Sequence, residues 1–292
     1  MIIAHMSGGF GNQLFSYAFG YSLAKARGEE FWIDTALQDT EWFFRNSDIM
    51  KMKITFDRRL SYKIGRSLPD RAFFNKIRFR KSIGFGTKII KEADIPKGED
   101  FFEYCYKQKG NLYVKGNWSY EKFFLPVVDE IMERFVFKEP LSDEAGIVAN
   151  EIKKTDNSVG LHYRLGDYVK IGVVAAPDYF IGAMAEMKEK LGNPTFFVFS
   201  EDKNWVKQQF KDLPYDIRYP EYNSEDPGIE DFRLFSMCEN QINSNSSFSW
   251  WGAYLNKNPN KHIIAPTDYD GGWQAETFPK SWEIRPFTFL NK

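Results

Sequence analysis

The chain has 292 residues, 43% hydrophobic and 27% charged, with a net charge of −1, which is a globular composition long enough for one large or two ordinary domains and far from the disordered range. No apolar run reaches the length of a membrane helix, and Met1–Met6 lacks the basic flank and extended apolar core of an export signal. Two cysteines, Cys105 and Cys238, cannot form a disulfide framework, and three histidines without clustered cysteine argue against structural zinc. Free thiols and a cytoplasmic location follow as expectations.

Met1–Met6 is apolar and predicts a strand. Ser7–Gln13 predicts a glycine-rich turn, Leu14–Arg27 has helical spacing with Gly28 as its stop, and Glu30–Asp34 predicts a second strand. The pattern is irregular to about residue 110, with a strand at Leu112–Gly116 and an amphipathic helix at Tyr120–Val136. A boundary is expected near 140–157. Beyond it strands at Ser158–Tyr163, Thr195–Ser200, Asp216–Tyr219, Gln241–Ser244 and His262–Ala265 alternate with helices at Asp178–Leu191, Asp202–Phe210, Ile229–Cys238 and Phe248–Leu255. That rhythm predicts a parallel sheet with helices on both faces and a ligand at the carboxyl ends of the strands. The first half reads as a less regular α/β unit, giving domains 1–155 and 156–292.

The most informative segment is Asn245-Ser246-Ser247-Phe248-Ser249-Trp250-Trp251-Gly252-Ala253. Hydroxyl and amide side chains favour a helix start, and a helix start suits a phosphate. One cap would need no ligand; this cluster exceeds what capping requires and points to an anion site. His162-Tyr163-Arg164-Leu165-Gly166-Asp167-Tyr168 places His162, Arg164 and Asp167 where a strand ends. The fork of Arg164 fits phosphate oxygens, with Asp167 holding that fork or His162; a structural Arg–Asp pair is the alternative. The turn Gly9-Phe10-Gly11-Asn12-Gln13-Leu14 fails the dinucleotide fingerprint, because Leu14 stands where the third glycine is needed. Its amides, Asn12 and Gln13, suit a sugar or a diphosphate better. Asp268-Tyr269-Asp270 has a metal-binding form but reads as a surface turn, and Glu230-Asp231 favours a helix N-terminus, with Asp231 alternatively accepting from a base edge.

Residues 51–91 carry thirteen Lys/Arg against two acids, Asp57 and Asp70. This is either a solvated surface or a patch for an anionic membrane or acidic glycan; nucleic acid is disfavoured because no binding module accompanies it. Aromatics are 17% of the chain, which tilts towards carbohydrate because sugar rings stack on aromatic faces.

Three blocks in one order closely resemble the α-1,2-fucosyltransferases, glycosyltransferase family 11, in their soluble bacterial form: Gly8-Gly9-Phe10-Gly11-Asn12-Gln13-Leu14-Phe15, His162–Tyr168, and Asn245–Ala253. Phe199-Ser200-Glu201-Asp202 and Asp231–Cys238 resemble further blocks of that family. The resemblance implies a GT-B-like α/β fold of two facing Rossmann-type halves, the first binding acceptor and the second GDP-fucose. It implies inverting transfer of fucose to the 2-hydroxyl of a terminal galactose on an oligosaccharide or lipid-linked glycan, with no cofactor and no obligatory metal. It gives Arg164, Asn12, Asp167 and His162 as catalytic candidates. Gly9, Gly11, Gln13, Arg164, Asp231, Asn245, Ser246, Ser247, Phe248 and Ser249 are the donor-binding candidates. The family's second arginine is Leu165 here, so Arg164 would carry more of the phosphate contact. The alternatives are a transferase for another nucleotide sugar or linkage and a non-catalytic glycan-binding protein. The location expected from the N-terminus is cytoplasmic, or peripheral on the inner membrane face if the basic run 51–91 meets anionic lipid.

Overall fold

The computed structural model describes residues 1–36, 46–60, 77–267 and 273–290. The chain divides into two compact units, Met1–Glu139 and Pro140–Lys292. Among the described residues no helix is long and apolar enough to cross a membrane.

The first unit is built on β1 (Ile2–His5), β2 (Phe31–Asp34), β3 (Arg58–Leu60), β4 (Lys88–Lys91) and β5 (Leu112–Lys115). They form one sheet in the order β3-β2-β1-β5-β4, with every neighbouring pair parallel. Central β1 is buried along its whole length, which is why it reads as an unbroken apolar run rather than an alternation. The helix after it runs Phe10–Arg27, so it begins before the predicted Leu14 and takes Gly11, Asn12 and Gln13 into its first turn. Gly28, at φ 63°, ends it in the left-handed conformation that glycine adopts without a steric penalty. Gly20 lets that helix lie close on the sheet, since a Cβ there would sit 2.6 Å from Ala4 Cβ and 2.8 Å from Phe31 Cε2.

The helix predicted over Tyr120–Val136 is broken. Two 3₁₀ turns, Glu121–Phe123 and Leu125–Val127, precede a short helix at Val128–Arg134. Pro126 lacks a backbone donor and disfavours helical geometry in the residue before it, which the apolar spacing alone could not show. Just upstream, buried Trp118 stacks on Phe19 at 4.0 Å between ring centres, so this irregular stretch is held by aromatic packing.

The second unit contains β6 (Ser158–His162), β7 (Thr195–Phe199), β8 (Asp216–Arg218), β9 (Asn240–Ile242), β10 (Ile263–Thr267) and β11 (Glu283–Pro286). The order is β11-β10-β9-β6-β7-β8, all parallel. The chain steps outward from β6 to β8 and then returns to the other side of β6. The strand order therefore reverses between β6 and β9, the place where doubly wound sheets open a crevice at their carboxyl ends. The segment left as a boundary contains a helix, Asp143–Lys154, which belongs to this unit. Ser142 caps it by accepting from the Ala145 N–H at 3.3 Å, and Ala145, Val148, Ala149 and Ile152 form its buried stripe.

Both thiols are buried. Burial pushes Cys105 up to about 12 and raises Cys238 well above the usual thiol range, with Glu239 adding to the second shift. Since the thiolate is the reactive form, neither should be alkylated by iodoacetamide at pH 8 in the folded protein, and both should react after denaturation. Mass spectrometry of native samples checks this; rapid native labelling would contradict it.

Candidate active site

Each unit places its polar residues at the carboxyl edge of its own sheet. In the first, Gly8 stands at φ +71° after β1, and a Cβ there would meet Asn12 Nδ2 at 2.6 Å, so a bare backbone lets the Asn12 amide fold against the turn. Gly9 caps the Phe10–Arg27 helix in extended geometry with no side-chain hydrogen bond, and Gly11 is buried in the helix's first turn. Gln13 is fully buried and works as a strut. Its Nε2 donates to the Gly8 carbonyl at 3.1 Å and the Asn46 carbonyl at 2.8 Å, while its Oε1 accepts the Ile49 N–H at 3.1 Å. Both amide hydrogens are thereby spent inside the protein, so Gln13 shapes the loop and has none left for the ligand contact expected of it.

In the second unit, the residues following β6, β7 and β9 meet because those strands are neighbours. Arg164 is the centre. Its Nη2 pairs with Asp167 and its Nη1 with Glu201, the guanidinium being 15% exposed. Its Cζ lies 5.2 Å from the centre of the Tyr168 ring. Glu201 also accepts the Leu165 N–H at 2.9 Å and approaches Gly166, which turns the chain at φ +42°. One carboxylate thus fixes both the guanidinium and the turn that carries it. The Leu165 side chain, standing where a second arginine is usual, is buried in the core beside Val159, Leu161 and Tyr163.

His162 does not meet Asp167. Its Nδ1 lies 2.7 Å from Ser249 Oγ and 3.3 Å from Ser244 Oγ, and its ring stacks on Phe248 at 4.6 Å. Burial first and the Arg164 charge second lower the imidazole to about 3, so it is neutral at working pH. His162 therefore ties the end of β6 to the serine loop. Within that loop Ser246 caps the Ser247–Tyr254 helix by accepting the Phe248 N–H at 3.3 Å. Asn245 donates to the Val173 carbonyl at 3.0 Å while its Oδ1 is buried without a partner among the described residues, and the Tyr168 hydroxyl donates to the Asn245 carbonyl at 3.1 Å. Much of the hydroxyl surplus is thus internal wiring, and what the loop offers a ligand is a helix start linked to the Arg164 guanidinium through Tyr168.

Asp231 lies one turn into the Pro227–Met237 helix, whose cap is Asp226 rather than the Glu230-Asp231 pair. Glu230 instead accepts the Ser142 N–H at 3.1 Å. Burial raises the Asp231 carboxyl above its usual range, and the Tyr222 hydroxyl, which donates to it, opposes that shift. Tyr222→Phe should therefore move Asp231 to still higher pH, readable by carboxyl-carbon NMR titration; an unchanged titration would mean the phenol contributes nothing. Asp268-Tyr269-Asp270 lies outside the described residues.

Sequence reasoning passed over Glu201 and Tyr222. Glu201 sat in a block already singled out, and its place after β7, beside β6, was the missing signal. Tyr222 lies in a loop, and nothing in the sequence linked it to Asp231.

The sequence model of Glycosyl transferase family 11 matches residues 73–284. The chain belongs to glycosyl transferase family 11. This family 11 chain is 28% identical to the O-antigen biosynthesis glycosyltransferase WbnK of Escherichia coli, over 91% of its own length and 94% of that protein. It is 28% identical to an Escherichia coli alpha-1,2-colitosyltransferase, over 97% and 98%. Against human galactoside alpha-(1,2)-fucosyltransferase 1 it is 27% identical over 46% of this chain and 40% of that one. In fold it resembles the fucosyltransferase NodZ from Bradyrhizobium, with a TM-score of 0.50, 15% identity and coverage of 87% and 92%. The family 11 fold is accordingly of the GT-B-like α/β class, with two parallel sheets.

Proposed function

We propose that this family 11 chain transfers L-fucose from GDP-β-L-fucose to the 2-hydroxyl of a terminal galactose, with inversion, making an α-1,2 linkage. The observation that carries the reading is Arg164. It is held by Asp167 and Glu201 at the reversal point of the second sheet, and Tyr168 links it to the loop that opens the helix Ser246 caps. Such an arrangement suits a nucleotide diphosphate. Names among the relatives, galactoside alpha-(1,2)-fucosyltransferase above all, support the sugar and the linkage.

In this reaction the acceptor oxygen forms a bond to the anomeric carbon as the bond to the diphosphate breaks, and the electron pair leaves with GDP. Negative charge grows on the diphosphate. Arg164 and the start of the Ser247–Tyr254 helix are fixed before the reaction, so they meet that charge without reorganising. The second unit is the donor side in this reading, with Asp231 towards the nucleoside, and the first unit is the acceptor side, with Asn12 orienting the sugar. No metal takes part in the proposed step. The acceptor is a galactose-terminated oligosaccharide or lipid-linked glycan. The basic run 51–91 would hold the protein at an anionic membrane surface; Lys63, Arg66, Arg71 and Lys76 of that run lie outside the described residues.

A second reading keeps the chemistry and changes the donor. The colitosyltransferase relative spans nearly the whole chain, which favours testing a GDP-activated colitose beside GDP-fucose. The experiment is release of GDP from each donor in the presence of lactose, followed by linkage analysis of the product. Transfer of fucose to the galactose 2-hydroxyl is the expected result. A product linked elsewhere, or donor turnover only with another nucleotide sugar, would overturn the first reading.

A further inference from the structure

The first unit contains a buried hydrogen-bonded chain that the reading above does not use. His5 ends β1, Asp34 ends β2 and Tyr113 lies on β5. The Tyr113 hydroxyl lies 2.7 Å from Asp34 Oδ2 and 2.8 Å from His5 Nδ1. Asp34 Oδ1 accepts the Ala36 N–H at 3.0 Å, and Asp34 and His5 are 1% and 6% exposed. Burial alone would raise Asp34, but the His5 imidazole, the Tyr113 phenol and the Ala36 N–H outweigh it and hold the carboxyl below the usual carboxylate range. Asp34 is therefore ionised and can only accept.

A phenol has one hydrogen, and the carboxylate takes it, so the Tyr113 oxygen must accept from His5 Nδ1–H. In the tautomer protonated at Nδ1, Nε2 carries the lone pair. This Nε2 is buried and has no hydrogen-bond partner among the described residues. Leaving a buried acceptor unpaired is costly, so this nitrogen points to a donor from outside the described residues, and we take that donor to be a ligand. The position agrees. The first sheet reverses its order between β1 and β5, and His5 and Tyr113 flank that reversal, where a ligand of a doubly wound sheet is expected. The turn carrying Gly8 and Asn12 begins directly after His5.

We propose that His5 Nε2 receives the proton of the acceptor hydroxyl, with Tyr113 and Asp34 setting the tautomer that makes it a base. The inference rests on the transferase reading. The acceptor O–H bond breaks as its oxygen joins the anomeric carbon, the proton passes to Nε2, and the imidazolium later returns it to water. Asp34 and Tyr113 are positioning residues: an ionised acceptor at one end of the chain dictates a bare nitrogen at the other. Among the described residues, the titratable groups bonded or paired to His5 are Asp34 from β2 and Tyr113 from β5.

The test combines kinetics with a measurement on the unaltered protein. His5→Gln should lower kcat for transfer about 10²- to 10⁴-fold and flatten the acid limb of the kcat/KM profile, while GDP affinity by calorimetry stays at the wild-type value. Tyr113→Phe, which keeps the ring and removes the hydroxyl, should lower kcat less and shift that limb. Nitrogen-15 NMR of the wild-type protein should show His5 protonated at Nδ1 and bare at Nε2 at neutral pH, whether or not any variant folds. A protonated Nε2 overturns the proposal, as does a His5→Gln protein with wild-type kcat and profile, or one whose GDP affinity falls in step with its kcat. If the wild-type protein transfers no sugar, the transferase reading fails first, and the NMR result stands apart from it.

Discussion

Arg164→Ala should lower turnover about 10²- to 10³-fold while the protein still folds, because on the proposed reading Arg164 meets the leaving diphosphate and acts chiefly in the transition state. Asp167 and Glu201, 42% and 35% exposed, would be left facing each other, and that repulsion should cost a little stability. The double variant Arg164→Ala, Glu201→Gln removes one of the two charges and should restore the melting temperature without restoring rate. Arg164→Lys should recover little. An ammonium is a point charge and cannot span two carboxylates while presenting further donors to a phosphate. Steady-state kinetics with GDP-fucose and lactose, alongside thermal unfolding, separate these effects. Near-normal turnover by a folded Arg164→Ala protein would remove the assignment of this residue.

Gly252→Val should be strongly destabilising. Gly252 lies inside the Ser247–Tyr254 helix, where replacing glycine usually stabilises by up to about 1 kcal/mol. Here a Cβ would lie 2.5 Å from Phe235 Cδ1 and 2.9 Å from Phe235 Cε1. The ring has little room to retreat, because Phe235 is fully buried and its Cδ2 edge already lies close to Gly160, where even an added Cβ would be 2.9 Å away. Overpacking then outweighs helix propensity and should cost about 1–3 kcal/mol for alanine, and more for valine. At about 2–4 °C per kcal/mol, the melting temperature should fall by several degrees for Gly252→Ala. Phe235→Leu should relieve part of the loss in the double variant, although Phe235→Ala by itself should cost about 3–5 kcal/mol. A Gly252→Ala protein more stable than wild type would show that the ring can yield.

The second half of the chain was legible because its strands are short apolar runs separated by well-capped helices. Asp202 and Ser246 each mark a helix start that the structure keeps. The first half was less so. Gly11, Asn12 and Gln13 read as a turn because glycine and two amides are poor helix signals, yet the helix already begins at Phe10. The cause is tertiary: Gln13 bonds to Asn46 and Ile49, far along the chain. The Tyr120–Val136 helix failed for the opposite reason, because an apolar spacing was read through Pro126. At the site, the residue types were legible and their partners were not. Local spacing pairs Arg164 with Asp167, but only adjacency of β6 and β7 brings in Glu201. Likewise, the serine cluster announces a helix start, while the bond from His162 to Ser249 depends on β6 lying beside β9.

The enclosure of Cys105 and Cys238 has a practical consequence. A cysteine introduced at an exposed position becomes the sole accessible handle for a fluorophore or spin label, with no native thiol to remove first. Phe85 in the first unit and Ile147 in the second are 72% and 70% exposed, so a Phe85→Cys, Ile147→Cys protein would carry one probe on each. Energy transfer or dipolar spectroscopy between the probes would then follow the separation of the two units in solution as a nucleotide sugar is added.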